Sequence, residues 1–463
     1  MPTSFAAMRR TVSSGIGIML ALAVVSSIGI ALLPAHHTAG LQAWAFDAGH
    51  VDVYNLVVPS WNQRHPDHPL NVSLLLGPAL QTRMMSGFYA GTPVADLLEI
   101  ERMQAGPVFA GPLADIGFVD LTDRLRREGL IDGINAASFS PWTTRGHIFG
   151  LPHDVHPVML AYRCDLVEAA GIDVSKIETW DDYFRAMRPL MRDTDGDGRV
   201  DCYPLNGTYA NSTTTEVIML QAGGTLFDDH GQPLLDSDVN VDILARLATW
   251  FGGPNRVTLD VNIASKSGLM LIHAGAVLGV IVPDFSAGSM VVLLPMLAGK
   301  YKLMPLPAWE KGGRRTSVQG GTMMGIARST PDVDLAWAAL KHLYLSPLGA
   351  ERLFLDRGIV TPVKASWSNP VFDRPSAYFC GQPIGRMYLR LAPDVPLRPS
   401  SPYYSQAINR LGNIENELAN LAADKNIGDP AELKPLARRL LAAAQQDLQA
   451  QINRNVFLGG RSR

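Results

Sequence analysis

Short apolar runs alternate with longer amphipathic segments along the chain after residue 40. Residues 41–46, 70–76 and 94–100 have the length and composition of buried strands, whereas residues 51–64 and 80–89 have the spacing of helices. Strands that alternate with helices in this way predict an α/β fold with mostly parallel sheets. Near the end of the chain, Asp429 and Pro430 predict the start of an amphipathic helix that ends near Arg454.

Composition and charge narrow the classes of protein that fit this pattern. The chain has 463 residues, 47% of them hydrophobic, which is more than one core usually organises, so we expect two domains. A formal net charge of −3, with no sustained run of Lys or Arg beyond the N-terminus, argues against nucleic acid as a partner. Three scattered cysteines provide neither a disulfide framework nor a CxxC motif.

The first 40 residues have the pattern of an export leader. Arg9 and Arg10 precede an uncharged, mostly apolar stretch over residues 15–33, which Pro34 ends. Small residues at 38–40 offer a cleavage site, while the apolar stretch approaches the ~20 residues that span a bilayer. Residues 1–40 are therefore predicted to be a signal peptide or an N-terminal membrane anchor, and the rest of the chain is expected to be periplasmic or otherwise extracytoplasmic.

Several polar and aromatic residues come at or just after the ends of the predicted strands. Ligands of open α/β sheets bind beyond the carboxyl ends of the strands. Phe46 and Asp47 lie at or just after the end of the first strand, and Glu99 and Glu101 lie at or just after the end of the third. These four residues are therefore candidates for a ligand cleft, with solvated loop positions as the alternative.

An ordered series of segments resembles the bacterial extracellular solute-binding proteins, the family that includes maltose- and glycerol-phosphate-binding proteins. The matching segments include Gly91-Thr-Pro-Val-Ala-Asp96, Gly111-Pro-Leu-Ala-Asp115, Gly150-Leu-Pro152, Thr179-Trp-Asp-Asp182 and Gly320-Gly-Thr-Met-Met-Gly325. They occur in the family's order over nearly the whole chain after the leader. One departure is Cys164, which stands in Tyr162-Arg-Cys-Asp165 where the family often has a basic residue.

The resemblance implies a two-lobed periplasmic-binding-protein fold, each lobe a mostly parallel sheet flanked by helices, with a hinge and a ligand cleft between the lobes. It places residues 41–152 and 303–360 in the first lobe and residues 153–302 and 361–463 in the second, with hinge crossings near Leu151, Leu303 and Val360. The implied partners are a carbohydrate and the permease subunits of an ABC importer with their ATPase. A monomer is expected, which touches the membrane through the importer or the N-terminal segment.

Carbohydrate recognition requires aromatic faces and groups that hydrogen-bond to hydroxyls. The matched segments supply both, and Asp154 and His156 agree best with the family's contact segment after the hinge. We expect the Asp154 carboxylate to lie in the open cleft, solvated by water. The predicted ligand-binding residues are Trp44, Phe46, Glu99, Glu101, Asp154, His156, Tyr209, Asp284, Trp309, Gly320, Gly321 and Tyr403.

The acidic and aromatic character of these residues favours a neutral sugar or short oligosaccharide over a phosphorylated ligand, which calls for Arg, Lys or helix N-termini. Arabinose-type and maltose-type ligands both remain open. Two other classes compete with an importer component. A secreted glycoside-active enzyme would use paired carboxylates, although the chain has no HExxH, GxSxG or P-loop motif. A membrane-anchored sugar sensor would retain the leader.

Residues 193–201 form an acidic loop whose spacing suits Ca²⁺. Carboxylates occupy positions one, three, five and nine, and Gly198 stands at position six. Position twelve is Pro204 instead of the bidentate Glu of an EF-hand, so a complete EF-hand is excluded. An acidic β-turn is the alternative. No cofactor is required, and the predicted site for a structural Ca²⁺ consists of Asp193, Asp195, Asp197, Arg199 and Asp201.

Overall fold

A computed structural model describes residues 17–26, 39–193, 196–207, 213–262 and 265–455. Residues 17–26 form helix α1, within a unit of its own that comprises residues 1–40, and the rest of the chain forms a second unit. In the described ranges, no helix is both long and apolar enough to span a membrane. Most of the predicted leader lies outside the described residues.

Two five-stranded sheets organise the second unit. The first has the strand order β2-β1-β3-β12-β6, and the second has the order β11-β7-β10-β8-β9. Strands β4 and β5 form a separate two-stranded sheet, and in sequence they come just before β6 of the first sheet. The strands are β1 (Leu41–Ala45), β2 (Leu70–Leu74), β3 (Leu97–Glu101), β4 (Thr143–Thr144), β5 (His147–Ile148), β6 (Leu151–Pro152), β7 (Val158–Arg163), β8 (Tyr203–Gly207), β9 (Thr258–Asp260), β10 (Val277–Pro283), β11 (Tyr301–Pro305) and β12 (Thr322–Ile326).

Helices surround both sheets. They are α2 (Ala48–Arg64), α3 (Gly77–Ala90), α4 (Arg102–Val108), α5 (Thr122–Arg127), α6 (Leu130–Gly133), α7 (Ala136–Phe139), α8 (Cys164–Val167), α9 (Trp180–Met187), α10 (Thr213–Gln221), α11 (Asp238–Phe251), α12 (Lys266–Ala274), α13 (Asp284–Leu293), α14 (Val333–Tyr344), α15 (Pro347–Arg357), α16 (Ile384–Leu391), α17 (Tyr404–Asp424) and α18 (Pro430–Arg454). The last of these confirms the helix predicted from Asp429 and Pro430, and the Asp429 side chain caps its first turn.

The two sheets are the bases of two lobes, as predicted, but both sheets are mixed. Two of the four strand pairs in each sheet are parallel. The other two are antiparallel, and they include the strands by which the chain leaves one sheet for the other, β6, β7, β11 and β12. A strand that enters from the neighbouring lobe can run opposite to strands joined by helices, and this accounts for the difference from a mostly parallel arrangement.

The chain passes twice between the sheets over short segments. It leaves the first sheet at β6 and enters the second at β7 after five intervening residues, close to the predicted crossing at Leu151. The return is later than predicted, because Leu303 lies within β11 of the second sheet. The chain rejoins the first sheet only at β12, after Val318 has bridged to Pro157 beside the first crossing.

Each lobe has its own apolar core. Strands β7 and β10 are buried along their full length, because helices cover both faces of the second sheet. Helices α17 and α18 pack with α11 on that sheet, and the core of this lobe includes Leu411, Leu418, Leu433 and Leu448. The C-terminal helices therefore belong to the second lobe.

Glu415 of α17 is a carboxyl group inside this core. Its side chain is completely buried, and Thr215 of α10 donates a hydrogen bond to Oε2 at 2.5 Å. No hydrogen-bond partner of Oε1 occurs among the described residues. Burial raises the pKa of Glu415 to about 8, against the opposing effect of the Thr215 hydrogen bond. The folded protein therefore holds this proton over a pH range in which the unfolded chain releases it.

We predict that Glu415→Gln stabilises the protein at pH 8 and has little effect near pH 5. The parent loses stability as the pH rises from the ordinary glutamate pKa of 4.5 to about 8, since only the folded state retains the proton in that interval. The gain at pH 8 is on the order of a few kcal/mol at most. Urea unfolding at both pH values measures it.

Glu417→Gln is the matched control, because Glu417 is exposed on the same helix. It should change the unfolding free energy little at either pH. An equal effect of the two substitutions, or no difference between the pH values for Glu415→Gln, would contradict the buried, protonated carboxyl.

Candidate ligand cleft and hinge

A cavity of about 250 Å³ lies where the two lobes face each other. Phe46 and Asp47 follow β1, and Glu101 ends β3, so the carboxyl ends of first-lobe strands form one wall, as the sheet rule predicts. Phe285 of α13 faces them from the second lobe. The lining residues are Phe46, Asp47, His50, Glu101, His156, Phe285, Ser289, Gly320, Gly321, Thr322, Arg357 and Ile359.

Aromatic rings therefore line the cavity from both lobes. Phe46 contacts the His50 ring edge to face, with 5.7 Å between the centroids. Phe285 contacts His156 in the same manner, with 4.9 Å between the centroids. Each phenyl ring is thus positioned by a histidine, and both rings are only partly buried. The sequence predicted Phe46 but missed Phe285, which directly follows the predicted Asp284.

The cavity floor depends on two consecutive glycines. Gly320 has φ 85° and Gly321 has φ 133°, values that side-chain-bearing residues rarely adopt. A Cβ atom on Gly320 would lie 3.0 Å from His156 Cδ2 and 3.1 Å from Phe285 Cε1. Any larger residue at this position would displace both side chains that form the second-lobe end of the cavity.

Two carboxylates at the cavity cap helices of the first lobe. Asp47 Oδ1 accepts from the backbone N–H groups of Gly49 and His50 at the start of α2, at 2.8 and 3.1 Å. Glu101 Oε2 accepts from Met103 N at the start of α4, at 2.9 Å. Burial raises the pKa of Glu101, against the attraction of Arg102. The cap uses one oxygen of each carboxylate, and the second oxygen of each takes no part in it.

Three charged side chains at the hinge are connected in series, with a histidine between two aspartates. His156 Nδ1 and Asp284 Oδ1 are 2.6 Å apart, and His156 Nε2 and Asp154 Oδ2 are 3.0 Å apart. Asp284 Oδ2 accepts from Val360 N at 2.7 Å. We call Asp154, His156 and Asp284 the hinge triad. It connects the first crossing of the chain, α13 of the second lobe and the segment around Val360.

The hinge triad is buried, which corrects one expectation from the sequence. Asp154 is only 4% exposed, so its carboxylate is not solvated in an open cleft but lies against His153 and His156. Burial alone would raise the pKa of Asp154, but the charge of His156 outweighs it and holds this pKa well below its ordinary value. The imidazolium of His156, in place of water, therefore stabilises the negative charge of Asp154.

His156 carries the compensating positive charge. Burial alone would lower the pKa of its imidazole, but the negative charges of Asp154 and Asp284 raise it to about 10. The residue also adopts φ 53°, an uncommon conformation for a residue other than glycine. A side chain held in such a backbone conformation is fixed by its surroundings, here by the two aspartates.

Glu99 lies below the cleft wall and does not line the cavity. It is completely buried under α2 and α14, where Tyr54 and Tyr344 donate to Oε2 and His50 Nδ1 lies 2.9 Å from Oε1. Burial alone would raise the pKa of Glu99, but His50 outweighs it and lowers this pKa. Glu99 and Glu101 lie on the same face of β3, but Glu101 is the last residue of the strand, so only Glu101 lines the cavity.

Of the remaining predicted residues, none described lines this cavity. Trp44 packs with the first-lobe core, with the Arg83 guanidinium 6.0 Å from its ring. Trp309 stacks on Trp250 of the second lobe, with 5.3 Å between the centroids. Tyr403 lines a separate interlobe cavity of about 380 Å³. Tyr209 lies outside the described residues.

In the acidic loop, backbone amides occupy some of the predicted metal ligands. Asp193 Oδ1 and Oδ2 accept from the N–H groups of Gly196 and Gly198, and Asp197 accepts from Arg199 N. These contacts are those of the turn given as the alternative. Asp195 lies outside the described residues, and a structural Ca²⁺ at this loop stays a prediction.

A buried ion pair joins the lobes on one side of the cleft. Arg102 at the start of α4 donates to both carboxylate oxygens of Glu216 on α10, at 3.1 and 2.7 Å, and also to the Tyr404 hydroxyl. The guanidinium lies 4.0 Å from the centre of the Tyr404 ring. Sequence reasoning missed Glu216 and Tyr404, because no local motif marks a partner that lies more than 100 residues away.

Comparison with known proteins agrees with this two-lobed arrangement. The profile of the family described as bacterial extracellular solute-binding protein matches residues 35–347. The chain is 27% identical over 382 residues to the arabinooligosaccharide-binding protein of Halalkalibacterium halodurans, over 81% of this chain and 83% of that protein.

Solved structures show the same fold. The sugar-binding protein MalE from Xanthomonas citri is similar with a TM-score of 0.70 and 16% identity, over 89% of this chain and 99% of that one. An ABC transporter associated binding protein from B. animalis subsp. lactis in complex with β-1,6-galactobiose gives a TM-score of 0.65 and 19% identity, over 91% and 98%.

We predict that His156→Asn destabilises the protein by about 3–5 kcal/mol at pH 7, the range for removing one partner of a buried ion pair. Asn tolerates the positive φ, so the change tests the charge and not the backbone. The free-energy difference between parent and variant should shrink as the pH rises from the ordinary histidine pKa of 6.5 through about 10, because the parent loses its imidazolium there.

His147→Asn is the control for this measurement. His147 Nδ1 lies 2.6 Å from Asp120 Oδ2, but both side chains are 42% exposed, so its loss should cost less than about 1 kcal/mol. A difference between the parent and His156→Asn that stays constant from pH 6.5 to 10 would mean that His156 is not held charged.

Proposed function

The chain belongs to the bacterial extracellular solute-binding protein family, and we propose that it is the extracytoplasmic carbohydrate-binding component of an ABC importer. The observation that carries this proposal is the cleft with Phe46 on one lobe and Phe285 on the other, beside Asp47 and Glu101. Phenyl rings cover the C–H faces of a sugar, while carboxylate oxygens accept from its hydroxyls.

A neutral sugar suits the charges of this cleft. Glu99 is paired with His50, and Asp154 and Asp284 share His156, so repulsion of a phosphorylated ligand depends on Asp47 and Glu101 at the cavity itself. Arg357 also lines the cavity, but its guanidinium lies 3.3 Å from Asp52. A phosphate group would meet two carboxylates and one paired cation.

The size of the ligand follows from the cavity and the relatives. About 250 Å³ is slightly below the usual 300–1,000 Å³ range of ligand pockets, which favours a monosaccharide or one end of a short oligosaccharide. The relative that binds arabinooligosaccharides supports a pentose-containing oligosaccharide, and the similar structure with galactobiose supports a galactose-containing one. We place the arabinose-containing ligand first, because that relative is the more similar in sequence.

Capture proceeds by closure of the lobes about the hinge, after which permease subunits receive the sugar from the closed form. The protein acts as a monomer outside the cytoplasm and reaches the membrane through the importer or its own N-terminal segment. It binds the sugar without converting it, since Asp47 and Glu101 both cap helices and are thereby fixed as hydrogen-bond acceptors.

A thermal-shift screen of the purified chain tests this function. We predict that an arabinooligosaccharide, lactose, galactobiose or maltose raises the melting temperature by several degrees, whereas glycerol phosphate does not. A ligand that binds only the folded state stabilises it by about 2.7 kcal/mol at a hundredfold excess over Kd. Phe285→Ala and Glu101→Gln should each weaken the binding of the active sugar at least tenfold, measured by calorimetry.

Glu432→Gln is the control, because Glu432 is exposed in the first turn of α18, away from the cleft residues. It should bind the sugar as the parent does. A response to glycerol phosphate alone would overturn the neutral-sugar proposal, and conversion of the sugar to products detectable by chromatography would overturn the binding role itself.

A further inference from the structure

A second cluster of chemically capable side chains lies behind the cleft wall. His50 of α2, Glu99 of β3 and His153 at the hinge each offer a ligand atom, and these atoms lie within 4.8 Å of one another. All three side chains are buried. The sugar contacts proposed above use none of these three side chains, although the His50 ring also lines the cavity.

His153 is the unexplained member of this cluster. Its side chain is 1% exposed, yet neither ring nitrogen has a hydrogen-bond partner among the described residues. Asp154 Oδ2 lies 3.5 Å from Nδ1, but the contact lacks hydrogen-bond geometry. The His153 ring instead faces His50, with 4.4 Å between the centroids. A buried polar group without a partner is costly, so this position calls for a further ligand.

Two imidazoles and one carboxylate form a ligand set typical of zinc and unlike the all-oxygen sets of Ca²⁺ and Mg²⁺. Tyr54 and Tyr344 donate to the other oxygen of Glu99 and would orient it as the outer partners of metal ligands do. Because His50 lines the cavity, an ion can reach the cluster from the cleft.

We propose that His50, Glu99 and His153 bind one Zn²⁺ ion, with a water molecule as its fourth ligand. The ion has a structural role. It connects α2 and β3 of the first lobe to the residue that immediately precedes the hinge triad, and so fixes the hinge end of the cleft wall.

Calorimetric titration of the tag-free, chelator-treated full chain with zinc sulfate tests this site. One ion should bind per chain, and zinc anomalous scattering from a crystal should place it between the three side chains. His153→Gln and Glu99→Gln should each weaken this binding on the order of 100-fold or more, beyond the loss typical of outer partners. Magnesium sulfate should not compete.

His273→Gln is the matched control, because His273 is an exposed histidine on α12. It should bind zinc as the parent does. Unaltered zinc binding in His153→Gln, an anomalous peak elsewhere, or no binding by the parent would each overturn the proposal. The anomalous measurement uses the unmodified chain, so the outcome does not depend on whether a variant folds.

An independent observation concerns two of the three cysteines. Cys164 at the start of α8 and Cys380 in the turn of residues 376–382 are 216 residues apart, yet their sulfur atoms lie 3.5 Å from each other. Both thiols point to the carbonyl oxygen of Gly299. Cys202 is buried elsewhere in the second lobe. Cys164, noted above as a departure from the family's pattern, thus has a second cysteine beside it.

We infer that Cys164 and Cys380 form a disulfide within the second lobe, an inference that rests on the extracytoplasmic location proposed above. The exposed Cys380 thiol first exchanges with the disulfide of a thiol oxidase to give a mixed disulfide. The Cys164 thiolate then attacks the Cys380 sulfur and releases the reduced oxidase. Two protons leave the protein thiols, and two electrons reduce the oxidase disulfide.

Alkylation of the denatured protein, exported and purified without reductant, tests the bond. One cysteine, Cys202, should be alkylated before reduction and all three after it, with the melting temperature lower once the protein is reduced. Cys380→Ser should free Cys164 for alkylation, whereas Cys202→Ser should leave no reactive thiol. Three alkylated cysteines before reduction would overturn the disulfide, while a normal sugar response in that sample would leave the proposed function intact.

Discussion

The Asp284 carboxylate is the constraint on which the geometry of the cleft depends. One of its oxygens lies 2.6 Å from His156 in the first crossing, and the other accepts from the backbone at Val360. A single side chain of the second lobe thus fixes two segments that connect the lobes. Such a buried carboxylate requires a compensating positive charge, and the imidazole of His156 provides that charge only while it is protonated.

The cleft residues follow from this arrangement. His156 in its fixed conformation sets the position of Phe285, and the glycines at 320 and 321 allow both to approach the first lobe closely. On the other side of the cleft, the buried pair of Arg102 and Glu216 holds the lobes together without ligand atoms. This contact favours closure of the lobes. When the lobes separate, water solvates both of its charged side chains.

Much of the fold could be predicted from the sequence, because periodicity, capping residues and the order of family segments are local signals. These signals located the first strands, the crossing near Leu151 and the last helix. They could not determine the direction of strands that arrive from the other lobe, nor the late return at β12. Phe46, Glu101, His156 and the two glycines were found at the cleft because they follow strands or hinge segments.

The rest of the site depends on contacts between distant parts of the chain. Nothing near Asp154 or Asp284 in sequence shows that they share one imidazole, and an acidic residue after a strand fits a solvated cleft equally well. Glu99 and Glu101 share one face of β3 and differ only in their distance from its carboxyl end, so their separate roles depend on the packing of α2 and α14 over Glu99.

A double-mutant cycle between His156 and Asp284 measures whether this buried charged contact stabilises the hinge. Unfolding free energies of the parent, His156→Asn, Asp284→Asn and the double variant at pH 7 give the coupling between the two side chains. We predict a favourable coupling of at least about 1.5 kcal/mol, in the range for close charged pairs. Additive effects, within about 0.5 kcal/mol, would show that the two residues act independently and would contradict it.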